Sequence, residues 1–357
     1  MRSLILLLAL LVASCQQPGP ETPSSESPKN IILLIGDGMG LTQMSSLYFS
    51  DERVVHFERL KHIGLIKTWS AKEKVTDSAA AATSFASGVK TYNGAIGLDA
   101  DSMRVETILE YAAEKGMGTG VLSTSSITHA TPAAFYAHQP SRQMQEEIAN
   151  DLVNSQVDIF AGGGVQYFAD REDGEDYVQK LKDSGFIIDT ESLKDGAELS
   201  PGERYGFLLA PDGMPRILDG RGSFLPDATT MALEFLSSKE DGFFLMIEGS
   251  QIDWGGHAND EDYIKTEMAD FNETIGRVMD FADEQGETLV IVTADHETGG
   301  YALSSGESYA TTSGSFSTGG HTATLVPVYA AGPGADNFAG IYENTGIYDK
   351  MMQAFNP

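Results

Sequence analysis

Cysteine is nearly missing from this chain, and its single copy, Cys15, falls near the start of 357 residues. Everything after residue 15 therefore has no disulfide, no thiolate ligand and no thiol nucleophile. Positive charge is scarce as well. Lys and Arg number 23 against 52 Asp and Glu, a formal net charge of -29. Such a surface repels a nucleic-acid backbone, so nucleic acid is not expected as a partner. An anionic substrate would need local cations to reverse the field at its site. Long apolar runs are missing too: residues 4–12 are apolar but too short for a stable spanning helix. No internal repeat or second-domain boundary is visible.

What is present begins with a leader pattern. Arg2 precedes the apolar run, and Ala13-Ser14-Cys15 follows it, ahead of a polar stretch rich in Pro and Ser. This reads as a secretory signal peptide. Small residues directly before the lone cysteine match a bacterial lipoprotein cleavage site, so Cys15 is expected to carry lipid. An ordinary signal peptide cut nearby is the alternative. No aspartate of the kind that retains lipoproteins at the inner membrane follows Cys15. Export to the periplasm or cell surface, with outer-membrane attachment, is the expectation. Residues 16–29 read as a flexible tether and 30–357 as one catalytic domain.

Hydrophobic residues make up 41% of the chain, an ordinary share for a globular α/β protein. Residues 31–35 are a continuous apolar run, the signature of a buried parallel strand, and run into Gly36-Asp37-Gly38-Met39-Gly40. Strands are also expected at 118–124, 159–161, 243–247, 288–293 and 325–330. Helices are expected at 107–115, 144–154, 177–182, 227–237 (with Asp227 as N-cap) and 263–281. Residues 170–202 look irregular and acidic, and 304–320 look like a Ser/Gly/Thr loop. The alternation predicts an α/β three-layer sandwich with a large, mostly parallel central sheet.

Four strand exits carry carboxylates or imidazoles: Asp37, His129, Glu248, and Asp295 with His296. In a parallel sheet such exits share one edge. Asp253 and His257, four apart, fit one helical turn, and His321 opens the segment after the flexible loop. Singly, each is more often a helix cap or a satisfied loop residue. Together they are harder to dismiss, because four of the seven histidines fall in glycine-rich turns at these exits. Oxygen and imidazole donors without thiolate suit catalytic zinc, with magnesium at an all-oxygen position. Ser78 opens the alanine-rich stretch after Thr76-Asp77, where free N–H groups of a helix start favour an anion. Simple capping by Asp77 or Ser78 is the alternative.

These segments resemble the alkaline phosphatase family. The resemblance rests on Ile35 to Gly40, Val75 to Thr91, His129-Ala130-Thr131-Pro132-Ala133, Glu248-Gly249-Ser250-Gln251-Ile252-Asp253, Thr293 to Gly300, and Gly319-Gly320-His321-Thr322. It runs from Asn30 to the end of the chain and implies hydrolysis of phosphate monoesters. By that resemblance Asp253, His257 and His321 hold one zinc, and Asp37, Asp295 and His296 hold a second that also meets Ser78. Asp37, Thr131 and Glu248 hold a magnesium. Ser78 is then the nucleophile that becomes phosphoserine, and Arg142 the clamp on phosphate. A surface arginine is the alternative for Arg142. His129 stands where the enterobacterial form has an aspartate beside magnesium-bound water, and Trp254 where it has a lysine near phosphate. Both are implied to border the substrate, with weaker magnesium retention and looser phosphate. A homodimer is implied as well. Rival readings are a diesterase or sulfatase of the same superfamily, or a non-enzymatic zinc- or phosphate-binding lipoprotein. Residues 75–82 lack the sulfatase signature of a modifiable Cys or Ser followed by Pro and Arg, and a pure binder has no use for Ser78.

Overall fold

The structure is a computed structural model that describes residues 27–49, 54–308 and 311–355. The expected signal peptide, Cys15 and most of the tether lie outside these residues. At the end of that tether Lys29 is already fastened, its N–H donating to the Glu287 carbonyl at 2.8 Å.

Ten strands form one sheet. They are β1 (Asn30–Gly36), β2 (His62–Lys67), β3 (Gly118–Ser126), β4 (Ile159–Gly163), β5 (Phe186–Asp189), β6 (Arg204–Leu208), β7 (Phe243–Gly249), β8 (Thr288–Thr293), β9 (Val326–Ala331) and β10 (Gly340–Glu343). Their order across the sheet is β10-β2-β9-β8-β1-β7-β3-β4-β6-β5. Only β9 runs against its neighbours, β2 and β8. Every residue of β1, β7 and β8 is buried. Helices cover the sheet, which is why these strands read as unbroken apolar runs rather than alternating ones.

Most helices fall into three groups. α1 (Ser78–Ser87) and α2 (Ile108–Glu114) pack with the short Ala130–Ala133 and terminal Gly346–Phe355 helices. The long α5 (Glu261–Gln285) packs against both α3 (Phe224–Leu236) and α4 (Gln251–Ala258). Gln145–Val153, Gln166–Ala169 and Tyr177–Asp183 pack with one another. The expected α/β sandwich with a mostly parallel sheet is thus present. Among the described residues no helix is long and apolar enough to cross a membrane.

Local expectations fared unevenly. α3 begins at Phe224 with Ser223 in the N-cap position, so Asp227 is not the cap; it lies in the first turn and accepts from Ser223 Oγ at 2.5 Å. Pro226 is tolerated inside that turn because its missing N–H has no helical acceptor there. The stretch 170–202 contains its expected helix, Tyr177–Asp183, but also the edge strand β5. Within 304–320 part of a small hairpin forms, Ala302–Ser305 against Thr312–Ser315. Strands β2, β5, β6 and β10 were not expected from the sequence; none holds an apolar run longer than three residues.

β1, β3, β7 and β8 are mutually parallel, so their carboxyl ends share an edge. Asp37, His129, Glu248 and Asp295 all sit there.

Candidate metal centre

Three groups of metal-ligating side chains meet on this edge: Asp253, His257 and His321; Asp37, Asp295 and His296; and Asp37, His129 and Glu248. The β1 exit makes the convergence possible. Gly38 has φ of 71°, and a Cβ there would lie 2.6 Å from Asp253 Cα. Only glycine lets the turn pass this close to α4.

In the first group, His257 Nδ1 lies 2.7 Å from the Gly319 carbonyl and His321 Nδ1 lies 2.9 Å from the Thr76 carbonyl. A carbonyl accepts only, so both Nδ1 atoms carry the proton. Their Nε2 lone pairs then face each other at 3.1 Å, with Asp253 oxygens 3.4 and 3.6 Å away. Two lone pairs and a carboxylate aimed at one point call for a cation. In the second group, Thr298 Oγ1 donates to Asp253 and so accepts from His296 Nδ1 at 3.2 Å. That leaves the His296 Nε2 lone pair 3.2 Å from Asp295 Oδ2, 3.6 Å from Asp37 Oδ1 and 3.3 Å from Ser78 Oγ. The His296 and His321 rings stack with centroids 3.5 Å apart, which places the first two groups side by side.

Buried carboxylate oxygens without hydrogen-bond partners mark the same points: Asp37 Oδ1, Asp295 Oδ2 and Glu248 Oε1. Buried polar atoms are seldom left so, and ion ligation is one standard resolution. The donor set therefore fits metal ions of the oxygen- and imidazole-binding kind. Electrostatics of the bare polypeptide agree. Burial, then the Asp295, Asp253 and Glu248 charges, push the Asp37 carboxyl well above its ordinary range. Burial and Asp253 raise Asp295 to about 7. Burial raises Glu248 although Ser123 and Ser250 donate to it. Burial and its histidine neighbours lower His296. Positive ions offset the cost of the buried carboxylates, and a neutral His296 is the form that ligates a metal.

Thr131 Oγ1 lies 3.4 Å from Asp37 Oδ2, beside the third group. Glu248 Oε2 is gripped by Ser123, Ser125 and Ser250. Sequence reasoning named Thr131 but missed these three serines and Thr298, since such hydroxyls are too common to stand out before the fold collects them.

Ser78 is the first residue of α1 and is buried. Asp77 does cap the helix, Oδ1 accepting from Ala80 N at 3.0 Å, but it does more. Its Oδ2 accepts from Gly94 N at 3.0 Å and from Arg142 Nη1 at 3.1 Å. Arg142 Nη2 donates to His129 Nε2 at 3.2 Å. Burial and the Arg142 charge depress His129 to about 3, so its imidazole is neutral. Arg142, His129 and Trp254 line a cavity of 420 Å³ together with Ser126, Gln143, Gln145 and Asp212. The Trp254 ring meets the His129 ring edge-on at 6.2 Å. All twelve candidate residues thus lie in one neighbourhood on the sheet edge.

Comparison with known proteins gives a consistent answer. The family described as alkaline phosphatase matches residues 28–315. Alkaline phosphatase 3 of Bacillus subtilis is 34% identical, over 91% of this chain and 88% of its own length. The alkaline phosphatase of the Antarctic bacterium TAB5 is 50% identical, with a TM-score of 0.90 over 92% of this chain and 98% of that one. A TAB5 variant with a histidine changed to aspartate, which has magnesium bound in its M3 site, superposes with a TM-score of 0.89 at 49% identity, over the same shares of both chains.

Proposed function

The chain belongs to the alkaline phosphatase family and is a metal-dependent phosphomonoesterase with two zinc ions and one magnesium ion, and on that premise we propose that Ser78 is its nucleophile. The observation that carries this reading is the position of Ser78 Oγ, 3.3 Å from the His296 Nε2 lone pair at the start of a buried helix. Asp253, His257 and His321 would hold one zinc; Asp37, Asp295 and His296 the other; and Asp37, Thr131 and Glu248 the magnesium. When bound, these ions supply Lewis acidity that lowers the serine pKa and stabilises the departing oxygen.

The chain's own groups do the rest. Ser78 Oγ bonds to phosphorus as the ester P–O bond breaks, giving phosphoserine and the alcohol. Arg142 reaches the non-bridging oxygens, held in place by Asp77, while the first N–H groups of α1 point at the same anion. Water then attacks the phosphoserine phosphorus and frees Ser78 and inorganic phosphate. His129 and Trp254 border the phosphate in the Arg142 cavity. His129 offers an imidazole where a carboxylate would favour magnesium, a reading supported by the magnesium-bound aspartate variant of the TAB5 enzyme. Metal analysis of protein loaded with both ions decides it; full magnesium retention against zinc would refute it.

Ser78→Ala should lower turnover of a chromogenic phosphomonoester by orders of magnitude with near-normal metal content. Acid quenching during turnover should trap phosphate on wild-type Ser78 alone. Retained activity in the variant would sink the covalent mechanism. Chelation should abolish activity and zinc should restore it.

The leader supports a lipid-anchored, exported enzyme attached through Cys15, and kinship with the family supports a homodimer acting on small phosphomonoesters. Cys15→Ser should move the protein from the detergent phase to the aqueous phase; equal partitioning of both forms would rule the anchor out.

A further inference from the structure

Four of the chain's 23 basic residues gather within residues 67–90, beside the catalytic serine. The ammonium groups of Lys67, Lys74 and Lys90 stand 5.4, 5.2 and 5.4 Å from the centroid of the Trp69 ring. Lys72 lies over the Tyr92 ring at 4.9 Å. One carboxylate, Glu343, answers two of these charges, at 3.0 Å from Lys67 and 3.3 Å from Lys90. Lys72 and Lys74 are exposed and have no ion pair among the described residues. Cation–π attraction at such exposed sites is weak, and mutual repulsion of like charges works against it. Local positive charge in so acidic a chain suits an incoming anion.

The position of the cluster says which anion. β9 is antiparallel to both β2 and β8, so β2 runs parallel to β8 and ends on the metal edge. Two strand spacings, roughly 10 Å, separate them. Lys67 closes β2, and the chain then runs through Trp69, Lys72 and Lys74 to Ser78. On the way, the Thr76 carbonyl fixes His321 at 2.9 Å. Lys74 is thus two residues from a direct bond to the Asp253, His257 and His321 group. Tyr92, under Lys72, donates to the Pro140 carbonyl at 3.3 Å, two residues before Arg142.

We propose that Lys72 and Lys74, backed by Lys67 and Lys90 around Trp69, form an anion subsite that favours phosphomonoesters whose alcohol part carries a second phosphate or a carboxylate. The inference rests on the reading that the Asp253, His257 and His321 group faces the departing oxygen. The phosphate being cleaved goes to Ser78 and Arg142, and the second anionic group reaches the lysines.

Two measurements test this on the full-length holoenzyme. The first compares kcat/KM for a sugar bisphosphate and for an ester of a neutral alcohol, in wild type and in Lys72→Gln/Lys74→Gln. The ratio of the two should fall roughly fivefold in the variant and in wild type at high salt. An unchanged ratio, including a parallel loss on both esters, overturns substrate selection by this cluster. The second needs no catalysis. The chain has two tryptophans, so in Trp254→Phe the indole emission reports Trp69 alone. Sulfate should change that emission more than chloride at equal ionic strength, and the difference should vanish in the lysine variant. Equal responses to the two salts, or a sulfate response that survives in the variant, overturn the subsite. Failure of wild type to hydrolyse either ester would overturn the phosphatase reading, while the emission result still judges the subsite.

Discussion

Thr298 shows how much one hydroxyl decides. It donates to Asp253, in one candidate metal group, and accepts from His296, in the next. That bond selects the His296 tautomer with a free Nε2 lone pair. Outer partners of this kind are worth roughly ten- to a hundredfold in metal affinity. Thr298→Val keeps the shape and removes the bond, so zinc affinity should fall by about that factor, read by competition with a chromophoric chelator. Thr298→Ser should restore it. If the valine variant binds zinc as tightly as wild type, the tautomer is set elsewhere. Asp77 is a second double-duty residue, both a helix cap and the brace of Arg142. Its capping role was legible in the sequence, but its hold on an arginine 65 positions away was not.

At the scale of elements, α2 illustrates a start signal that works from sequence and then acquires a tertiary role. Thr107 caps it and Glu110 reaches back to the Thr107 N–H, a reciprocal pair that favours the helix. Glu110 also meets His138 at 3.0 Å and Arg104. Burial alone would raise the Glu110 carboxyl, but bonds from His138, Thr107 and Arg104 outweigh it and hold it at about 2, against an ordinary 4.5. A depressed carboxyl adds stability that is present above pH 4.5 and is lost as pH falls toward 2. Glu110→Gln should therefore cost about 1–2 kcal/mol in urea unfolding near neutral pH. The gap should close toward pH 2. A gap that does not change with pH would mean packing, not charge, is responsible. The central strands were readable from their apolar runs, whereas β5 and β6 were not. They are short, and their burial depends on partners that only the assembled sheet supplies.

For the molecule as a whole, the buried charges hold distant segments together. The Arg221 side chain is fully buried and bridges Glu267 and Asp270 of α5. It ties the 212–222 loop to the helix core, and that loop carries Gly213, packed on Trp254, and Met214, whose carbonyl accepts from Gln251. Removing one member of a buried ion group leaves the others uncompensated, at a cost of about 3–5 kcal/mol. Arg221→Ala should lose stability on that order in denaturant titrations, and the loosened loop should also raise KM through Trp254. A loss under about 1 kcal/mol would show that water already screens the group. The chain's formal net charge is -29, yet the lysines of 67–90 and Arg142 sit by the sheet edge that carries the candidate metal groups.

Composition and apolar patterning set the chemistry on offer. Without a cysteine after residue 15, metal ligation had to come from carboxylate and imidazole, and apolar runs ending in Gly, Asp and His set those donors at strand exits. Strand direction then made one edge of them, because parallel strands bring their carboxyl ends together. Which atoms of those donors face one another depends on the folded arrangement. The Nδ1 protons of His257 and His321 are placed by carbonyls 62 and 245 residues away. The serines around Glu248 come from one strand, β3, and from the N-cap position of α4. Tautomers, orphaned oxygens and the gathering of lysines around Trp69 depend on distances of a few ångströms between segments far apart in the chain, and one-dimensional spacing does not carry that information.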